Sequence, residues 1–376
     1  MRIIVLGAGL VGGPIASDLA KDKEFSVTAC DINVAALKNI SEKYGIKTIS
    51  CDLSKPENIK EAIAPYDLVV SAVPGFIGFS TLKAVIEAGK NVVDIAFFPE
   101  DPFALDETAK EKNVTAIVDC GVAPGMSNIL TGYAASMMDE VEKAVTYVGG
   151  LPQIREWPWE YRAVFSPIDV IEEYTRPARF IENGQLVIRP ALSEPEFLDF
   201  PGIGTLEAFN SDGLRTMIKT VKARNMKEKT LRYPGHREKM QLLREAGFFS
   251  SDPVEVSGMK ISPVELTAKL LFPKWKMKPG EYDITVMQIK VEGMKNGRSC
   301  VYQYDLLDRY DAEHNIHSMA RVTGYTASMA ARLISKGLYT RKGIIPPEYI
   351  GREAECVKFI IEGLAERGVN YKGARI

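Results

Sequence analysis

Histidine is nearly absent from this chain: three residues in 376, His236, His314 and His317, with no HExxH and no Cys/His pair at ligand spacing. That pattern speaks against a metal centre, which needs several such donors converging on one ion. His314 and His317 precede a helix in a charged segment and read as caps or surface residues. Cysteine is scarce as well. Cys30, Cys51, Cys120, Cys300 and Cys356 are scattered and never in C-x-x-C spacing. Reduced intracellular thiols are therefore expected rather than a disulfide framework. No apolar run approaches the ~18 residues needed to cross a bilayer. The first apolar segment starts almost at Met1, so no signal peptide and a cytoplasmic location are expected. A net charge of −2 gives no argument for a nucleic-acid or anionic-membrane partner. Low-complexity segments and repeats are missing too.

What the chain does have is alternation. With 46% apolar and 26% charged residues over 376 positions, it suits two domains with substantial cores. In its first 120 residues, strands are expected at Arg2–Leu6, Ser26–Cys30, Lys47–Ser50, Leu68–Val73, Asn91–Ile95 and Thr115–Asp119. Helical patterns at Leu10–Lys21, Val34–Tyr44 and Phe79–Ala88 lie between them. This rhythm predicts an α/β fold with a doubly wound, parallel Rossmann sheet, whose ligands bind beyond the strand carboxyl ends.

The first of those ends is Gly7-Ala8-Gly9-Leu10-Val11-Gly12, and the second strand closes on Asp31. Gly7 allows the tight turn, Gly9 lets backbone approach a pyrophosphate, and Gly12 lets helix and strand pack closely. The helix N-terminus supplies free N–H groups for the phosphates. Asp31 is placed to accept hydrogen bonds from both ribose hydroxyls and to repel a 2′-phosphate. Ile32 and Asn33 follow it with no Arg to neutralise such a phosphate, so NAD is the expected cofactor. Beyond the later strands, Asp52 is a candidate for the adenine amino group. Val73 and Pro74, with Asp94, Ile95 and Ala96, are candidates to border the nicotinamide, as are Phe97 and Phe98.

After Gly125 the character changes. Asn183-Gly184 separates Ala178–Ile181 from Leu186–Ile188, and Asn296-Gly297 separates Ile284–Val291 from Cys300–Leu306, both in the manner of tight hairpins. Helical patterns at Leu214–Lys222, His236–Ala246 and Pro263–Leu271 interleave with them. A second, α+β domain with a mixed sheet is expected over 126–310, its sheet a candidate homodimer interface. Ser318–Lys336, rich in small residues, and Arg352–Arg367 read as helices that return to the cofactor domain. That domain is then discontinuous, 1–125 plus roughly 311–376.

Several segments together resemble the saccharopine dehydrogenase-like proteins: the opening GAGLVG, Asp119-Cys-Gly-Val-Ala-Pro-Gly-Met-Ser-Asn128, Leu231-Arg-Tyr-Pro-Gly-His236 with Lys239, Val322-Thr-Gly-Tyr-Thr-Ala-Ser-Met-Ala, and Gly343-Ile-Ile-Pro-Pro-Glu348. Within that family, Glu172-Glu-Tyr-Thr-Arg-Pro-Ala-Arg179 and Phe209-Asn-Ser-Asp-Gly-Leu-Arg215 are most similar to the lysine 6-dehydrogenase branch. The resemblance implies NAD-dependent oxidation of the ε-amine of L-lysine, giving ammonia and 2-aminoadipate 6-semialdehyde, which cyclises to a piperideine carboxylate. A saccharopine reductase is the nearest alternative. A non-catalytic NAD-binding regulator is the alternative of a different class.

Amine oxidation of this kind needs a base, because an ammonium with pKa ~10.4 has no lone pair to assist hydride departure. His236, Asp94, Asp119 and Tyr233 are the candidates. Substrate anchoring needs an Arg fork for the α-carboxylate. Arg232 and Arg215 lead, with Arg224 and Lys239 as further substrate-binding candidates and Arg176 and Arg179 also in range. Cys120, beside Asp119, carries no local mark of an activated thiolate. The Trp157-Pro-Trp159-Glu-Tyr161 cluster suits a core or interface plug better than a lid.

Overall fold

The structure, a computed structural model, describes residues 1–163 and 167–373. It divides into two compact units: Met1–Met137 with the chain from Ala320 onward, and Met138–Met319.

The first unit opens with β1 (Arg2–Leu6), α1 (Gly12–Leu19), β2 (Ser26–Asp31), α2 (Val34–Tyr44), β3 (Lys47–Ser50), α3 (Pro56–Ile63), β4 (Leu68–Ser71), α4 (Gly75–Glu87), β5 (Asn91–Asp94), α5 (Asp106–Glu111), β6 (Thr115–Ile117) and α6 (Met126–Ser136). Ile3 through Leu6 are wholly buried, as expected of a central parallel strand covered on both faces. Asn33 caps α2 by accepting from the N–H groups of Ala35 and Ala36, and Gly45 ends it at φ +66. α1 begins at Gly12 rather than Leu10, because Gly7–Val11 is spent on the turn. α3 and α6 had no clear counterpart in the sequence reading. α6 belongs to this first unit, so the division falls at Met137 and not at 125.

The second unit comprises β7 (Glu140–Pro152), α7 (Pro167–Thr175), β8 (Ala178–Glu182), β9 (Gln185–Arg189), β10 (Glu196–Phe200), β11 (Gly204–Asn210), α8 (Met217–Thr220), β12 (Asn225–Arg232), α9 (His236–Glu245), β13 (Val254–Val256), β14 (Met259–Ile261), α10 (Pro263–Trp275), β15 (Asp283–Lys295) and β16 (Arg298–Arg309). Its mixed sheet runs β10-β11-β12-β7-β15-β16, with β12 and β7 parallel and the other pairs antiparallel. The hairpin β8–β9 attaches through β12. Both Asn-Gly turns carry positive φ at each residue: Asn183 +51 and Gly184 +76, Asn296 +51 and Gly297 +73. The helix expected over Leu214–Lys222 shrinks to the short α8. Arg215 sits at φ +52, which no right-handed helix accommodates. Tyr161, Tyr174, Phe209, Met240, Leu271 and Trp275 form an aromatic-rich core under the helices.

The chain then continues through α11 (Ser318–Ser335), β17 (Gly343–Ile345), α12 (Pro347–Gly351) and α13 (Ala354–Glu366). β17 pairs in parallel with β6 and completes the first unit's sheet in the order β17-β6-β5-β4-β1-β2-β3. The sheet reverses direction of growth between β1 and β4, the switch point where such folds take their ligands. The small residues of α11 let it approach α1: a Cβ on Gly324 would stand 3.1 Å from Ile15 Cγ1. Behind α1, Asp18 accepts from Arg332 Nη1 and Ser328 Oγ (both 2.6 Å) and from Arg367 Nε (2.7 Å), while Arg332 Nε reaches Asp22 at 2.8 Å. No helix among the described residues is long and apolar enough to cross a membrane.

Candidate functional site

At the switch point of the first unit, Gly7 has φ +99 and donates its N–H to Cys30 O at 2.8 Å. A Cβ on Gly7 would lie 2.5 Å from Ala72 O, and one on Gly12 would lie 2.0 Å from Gly7 O. Around Gly9, by contrast, no protein atom lies within 4 Å of an added Cβ. The turn is thus packed tightly on its inner side and open on its outer side, the shape a pyrophosphate needs. Asp31 closes the rim. Its Oδ2 accepts the Ala8 N–H at 2.6 Å and its Oδ1 the Asn33 N–H at 2.8 Å, which fixes the carboxylate beside the glycine turn. Leu10 (55%) and Ile32 (66%) are exposed next to it, and Val11 is half-buried. These residues fit a dinucleotide.

The other strand ends are built differently. Asp52 is half-buried and turned inward on its own loop, accepting from Ser54 N at 3.0 Å and Ser54 Oγ at 2.6 Å. Those bonds hold its carboxyl below the usual range. Val73 is buried and Pro74 exposed just before α4. Asp94, wholly buried at the end of β5, accepts the Ala96 N–H at 3.2 Å, with Ile95 half-buried between them. The Asp94 carbonyl accepts the Cys120 N–H at 2.9 Å, so Asp94 and the Asp119-Cys120 pair are neighbours. Asp119 is 1% exposed at φ +51, a left-handed conformation that Asp tolerates better than most residues. Burial, and then Asp94 and Asp119, push the Cys120 thiol far above its ordinary pKa, so it is no thiolate nucleophile. The turn that follows is tied down from outside: Asn128 Oδ1 accepts the Gly125 N–H at 3.1 Å, and Asn128 Nδ2 donates to buried Glu348 Oε2 at 3.1 Å.

In the second unit, the residues nominated from sequence do not form one exposed cluster. Arg224 is a surface ion pair with Glu142. Lys239 Nζ folds back along α9 and donates to Gly235 O at 2.9 Å. Tyr233 donates to Pro152 O at 3.0 Å, and Arg155 lies over its ring at 4.8 Å. Arg215, 7% exposed, is near Arg176. Burial and then the Arg215 charge hold Arg176 below the usual guanidinium range. Arg179 clamps Asp212 with two bonds of 2.8 Å.

Arg232 and His236 do meet, through Tyr174, which no sequence signal marks as functional. His236 is fully buried, its Nδ1 2.8 Å from Trp159 O and its Nε2 2.9 Å from Tyr174 Oη. The carbonyl only accepts, so Nδ1 carries the proton and Nε2 accepts from the tyrosine. Tyr174 Oη in turn accepts from Arg232 Nε at 3.2 Å, and Arg232 Nη2 donates to Glu173 Oε2 at 2.7 Å. Burial, followed by the Arg232 charge, pushes the His236 pKa down to about 3. A neutral, enclosed imidazole with both nitrogens engaged is a strut, which does not fit the expectation of His236 as a base exchanging protons near neutrality.

That depression has a measurable consequence. The unfolded state takes up a proton near pH ~6.5 and the folded state resists until about 3, so stability is full above pH ~6.5 and drains as pH falls below it. His236→Asn is expected to be less stable at pH 7. Its denaturation midpoint should also fall less steeply than wild type's between pH 6 and pH 4. Equal slopes in urea titrations would contradict this.

The Trp157–Tyr161 cluster splits. Trp157 is 81% exposed, while Trp159 and Tyr161 pack edge-on against Trp275 at ring separations of 6.3 and 5.5 Å. Among the described residues no group of three or more His, Cys, Asp or Glu is placed to hold a metal ion.

Comparison with known proteins agrees with both units. The model of the saccharopine dehydrogenase NADP binding domain matches residues 3–117, and that of the saccharopine dehydrogenase C-terminal domain matches residues 121–369. Mitochondrial alpha-aminoadipic semialdehyde synthase of Mus musculus is 27% identical over 252 residues, 62% of this chain and 27% of that protein. The chain spans less than half of such synthases, 47% in the case of the Bos taurus protein. Saccharopine dehydrogenase [NADP(+), L-glutamate-forming] of Schizosaccharomyces pombe is 24% identical over 98% of both chains. The apo structure of saccharopine dehydrogenase (L-Glu forming) from Saccharomyces cerevisiae shares the fold, with a TM-score of 0.80 at 18% identity over 99% of this chain and 98% of that one. On these matches, which between them cover both units, the chain belongs to the saccharopine dehydrogenase family.

Proposed function

We propose that the chain is an NAD-dependent dehydrogenase that oxidises the ε-amine of L-lysine to 2-aminoadipate 6-semialdehyde and ammonia. The observation that carries the cofactor half of this reading is Asp31, a carboxylate fixed at the rim of the glycine turn by the Ala8 and Asn33 N–H groups. There it favours ribose hydroxyls and opposes a 2′-phosphate, and Ile32 and Asn33 bring no compensating cation. The family model and the fungal relative are named for NADP, so on this reading the chain takes the cofactor without the 2′-phosphate where those names carry the one with it.

The substrate half is supported by the segments 172–179 and 209–215, which resemble the lysine-oxidising branch and meet in the second unit through the Arg179–Asp212 clamp. Arg215 is the proposed anchor of the α-carboxylate. A bound oxidised nicotinamide supplies the hydride acceptor. The chain's own tasks are to hold the amine carbon still, relieve its nitrogen of a proton and admit one water to the resulting imine. Asp94 and Asp119, buried at strand carboxyl ends, are proposed to line the reacting end.

The test is absorbance at 340 nm with NAD and L-lysine at mildly alkaline pH, with ammonia measured in parallel. Equal yields of NADH and ammonia are expected. Silence with lysine, together with NADH oxidation when semialdehyde and glutamate are supplied, would favour the saccharopine-forming reading that the relatives' names suggest. Asp31→Ala is expected to raise KM for NAD about 10–100-fold, the equivalent of one or two charge-assisted hydrogen bonds, with a smaller effect on lysine. An unchanged KM for NAD would remove Asp31 from the site.

A further inference from the structure

The chain of hydrogen bonds in the second unit ends on a group that has no assigned task. Trp159 O holds His236, His236 holds Tyr174, Tyr174 holds Arg232, and Arg232 holds Glu173 by its Oε2. Every link but the last is enclosed: His236 and Tyr174 are wholly buried and Arg232 is 3% exposed. The Glu173 side chain is 22% exposed, and its Oε1 has no hydrogen bond among the described residues. Three side chains, His236, Tyr174 and Arg232, therefore stand behind a half-buried carboxylate whose Oε1 is left over. A second polar atom is left over beside it. Tyr161 is 1% exposed, Arg232 lies over its ring at 4.9 Å, and its hydroxyl has no hydrogen-bond partner among the described residues. An unmade hydrogen bond on a buried hydroxyl costs about 1–3 kcal/mol, so such groups call for a ligand or a structural reason.

We propose that Glu173 binds the ammonium group of the substrate and takes its proton, with Arg232, Tyr174 and His236 as positioning residues. The inference deepens the amine-oxidising reading above and rests on it. The ligand class is a primary alkylammonium. One N–H bond breaks and one O–H bond forms at Glu173 Oε1, and the electron pair stays on nitrogen, where it assists departure of hydride from the adjoining carbon. Arg232 occupies Oε2, so Oε1 alone is left to the substrate.

The electrostatics suit the task. Burial raises the Glu173 pKa, the Arg232 charge lowers it, and Asp169, one helical turn away on α7, raises it again. The balance leaves it above the usual carboxylate range. That makes it a stronger base toward an amine than a solvated carboxylate while Arg232 keeps it aimed. The charged and titratable groups that face it are Arg232 from β12, Tyr161 from the segment after β7, Asp169 and Tyr174 of its own helix, and Arg176 just past that helix's end; α9 contributes His236 through Tyr174. In sequence, Glu173 was hidden between Glu172 and Tyr174 in a stretch of ordinary helical composition. Only the fold brings Arg232 to it, 59 positions away.

The experiment is the pH profile of kcat/KM for L-lysine, from pH 6 to 11 at saturating NAD, for wild type, Glu173→Gln and Glu173→Asp. Glu173→Gln is expected to lose about 100-fold or more near pH 7.5, the ordinary worth of a general base. The deficit should narrow toward pH 10.5, as solution itself supplies the free amine. NADH affinity, read by fluorescence, should stay within about threefold of wild type. If Glu173→Gln does not fold, Glu173→Asp decides: its carboxylate, withdrawn by one methylene, should cut kcat at least tenfold with NADH binding intact. A profile parallel to wild type's in folded Glu173→Gln, or an undiminished kcat in Glu173→Asp, overturns the proposal and leaves the lysine reading standing. A wild-type protein that oxidises no amine with NAD overturns that reading, and this inference with it.

Discussion

Gly12→Ala is expected to abolish cofactor binding, with no measurable NADH fluorescence enhancement at millimolar concentration. The added Cβ would stand 2.0 Å from Gly7 O, 2.8 Å from Gly7 C and 3.4 Å from Ala72 Cβ. Two of these are backbone atoms of the turn itself and cannot swing aside, so either α1 or the turn must move. Strain of this kind exceeds the roughly 1–3 kcal/mol of ordinary overpacking, and it displaces the N–H groups that meet the phosphates. The sharper form of the prediction is a comparison. Gly9→Ala meets no protein atom within 4 Å, so its melting temperature should match wild type, yet its methyl group enters the space left for the pyrophosphate. NADH affinity should fall about tenfold or more for Gly9→Ala with stability intact, and both properties should fall for Gly12→Ala. If Gly9→Ala binds NADH as wild type does, the pyrophosphate does not cross the turn there.

Asp18→Ala is expected to be the most destabilising single substitution in the first unit away from the glycine turn. Asp18 is 1% exposed and receives Arg332, Arg367 and Ser328, and it is the common partner of two guanidiniums brought in by α11 and α13. Removing it leaves Arg332, itself 3% exposed, with a buried charge that only Asp22 still answers. Breaking one side of a buried pair in this way costs about 3–5 kcal/mol, more than the pair contributes relative to apolar packing. Arg332→Met, with Asp18 retained on Arg367, should cost less. The acid dependence follows from the same geometry. Burial works to raise the Asp18 pKa, but Arg332, Arg367 and the Ser328 hydroxyl outweigh it and hold it below the usual range. Its stabilisation is therefore complete above the unfolded value near 3.9 and is lost as pH falls through the lower folded value. Urea denaturation of wild type and variant at pH 7 and pH 3 tests this: the gap should shrink at the lower pH, and a constant gap would mean the charge on Asp18 is not the source.

The dinucleotide turn was legible because its chemistry is local. Gly7, Gly9, Gly12 and the Asp31 that closes the second strand lie within one βαβ unit, where spacing in sequence maps directly onto spacing in the fold. The two Asn-Gly hairpins were legible for the same reason. The substrate side was not. Arg232 and His236 were singled out because they are neighbours in sequence, but the structure turns both inward and uses them to hold Glu173 and Tyr174 on another element. Arg224, equally plausible as a lone arginine, became a surface ion pair with Glu142. Which of several arginines is buried, and against what, depends on pairings between strands far apart in sequence, and a residue list does not encode them. The helix expected at Leu214–Lys222 failed on backbone conformation: its apolar spacing was right, but Arg215 is left-handed and the whole Asn210–Met217 segment is buried.

The pairing of β17 with β6 sets the order of events during synthesis of this protein. Ile117 and Gly343 are separated by about 225 residues, so at roughly 5–20 residues per second the ribosome delivers β17 some ten to fifty seconds after β6. Throughout that interval β6 is an open sheet edge, and Asp18 waits without Arg332 and Arg367. The strands β7 to β16 of the second unit, which lie within Met138–Met319, are available before then. The nascent chain thus holds most of its middle sheet ready while the sheet that begins it still waits for a strand.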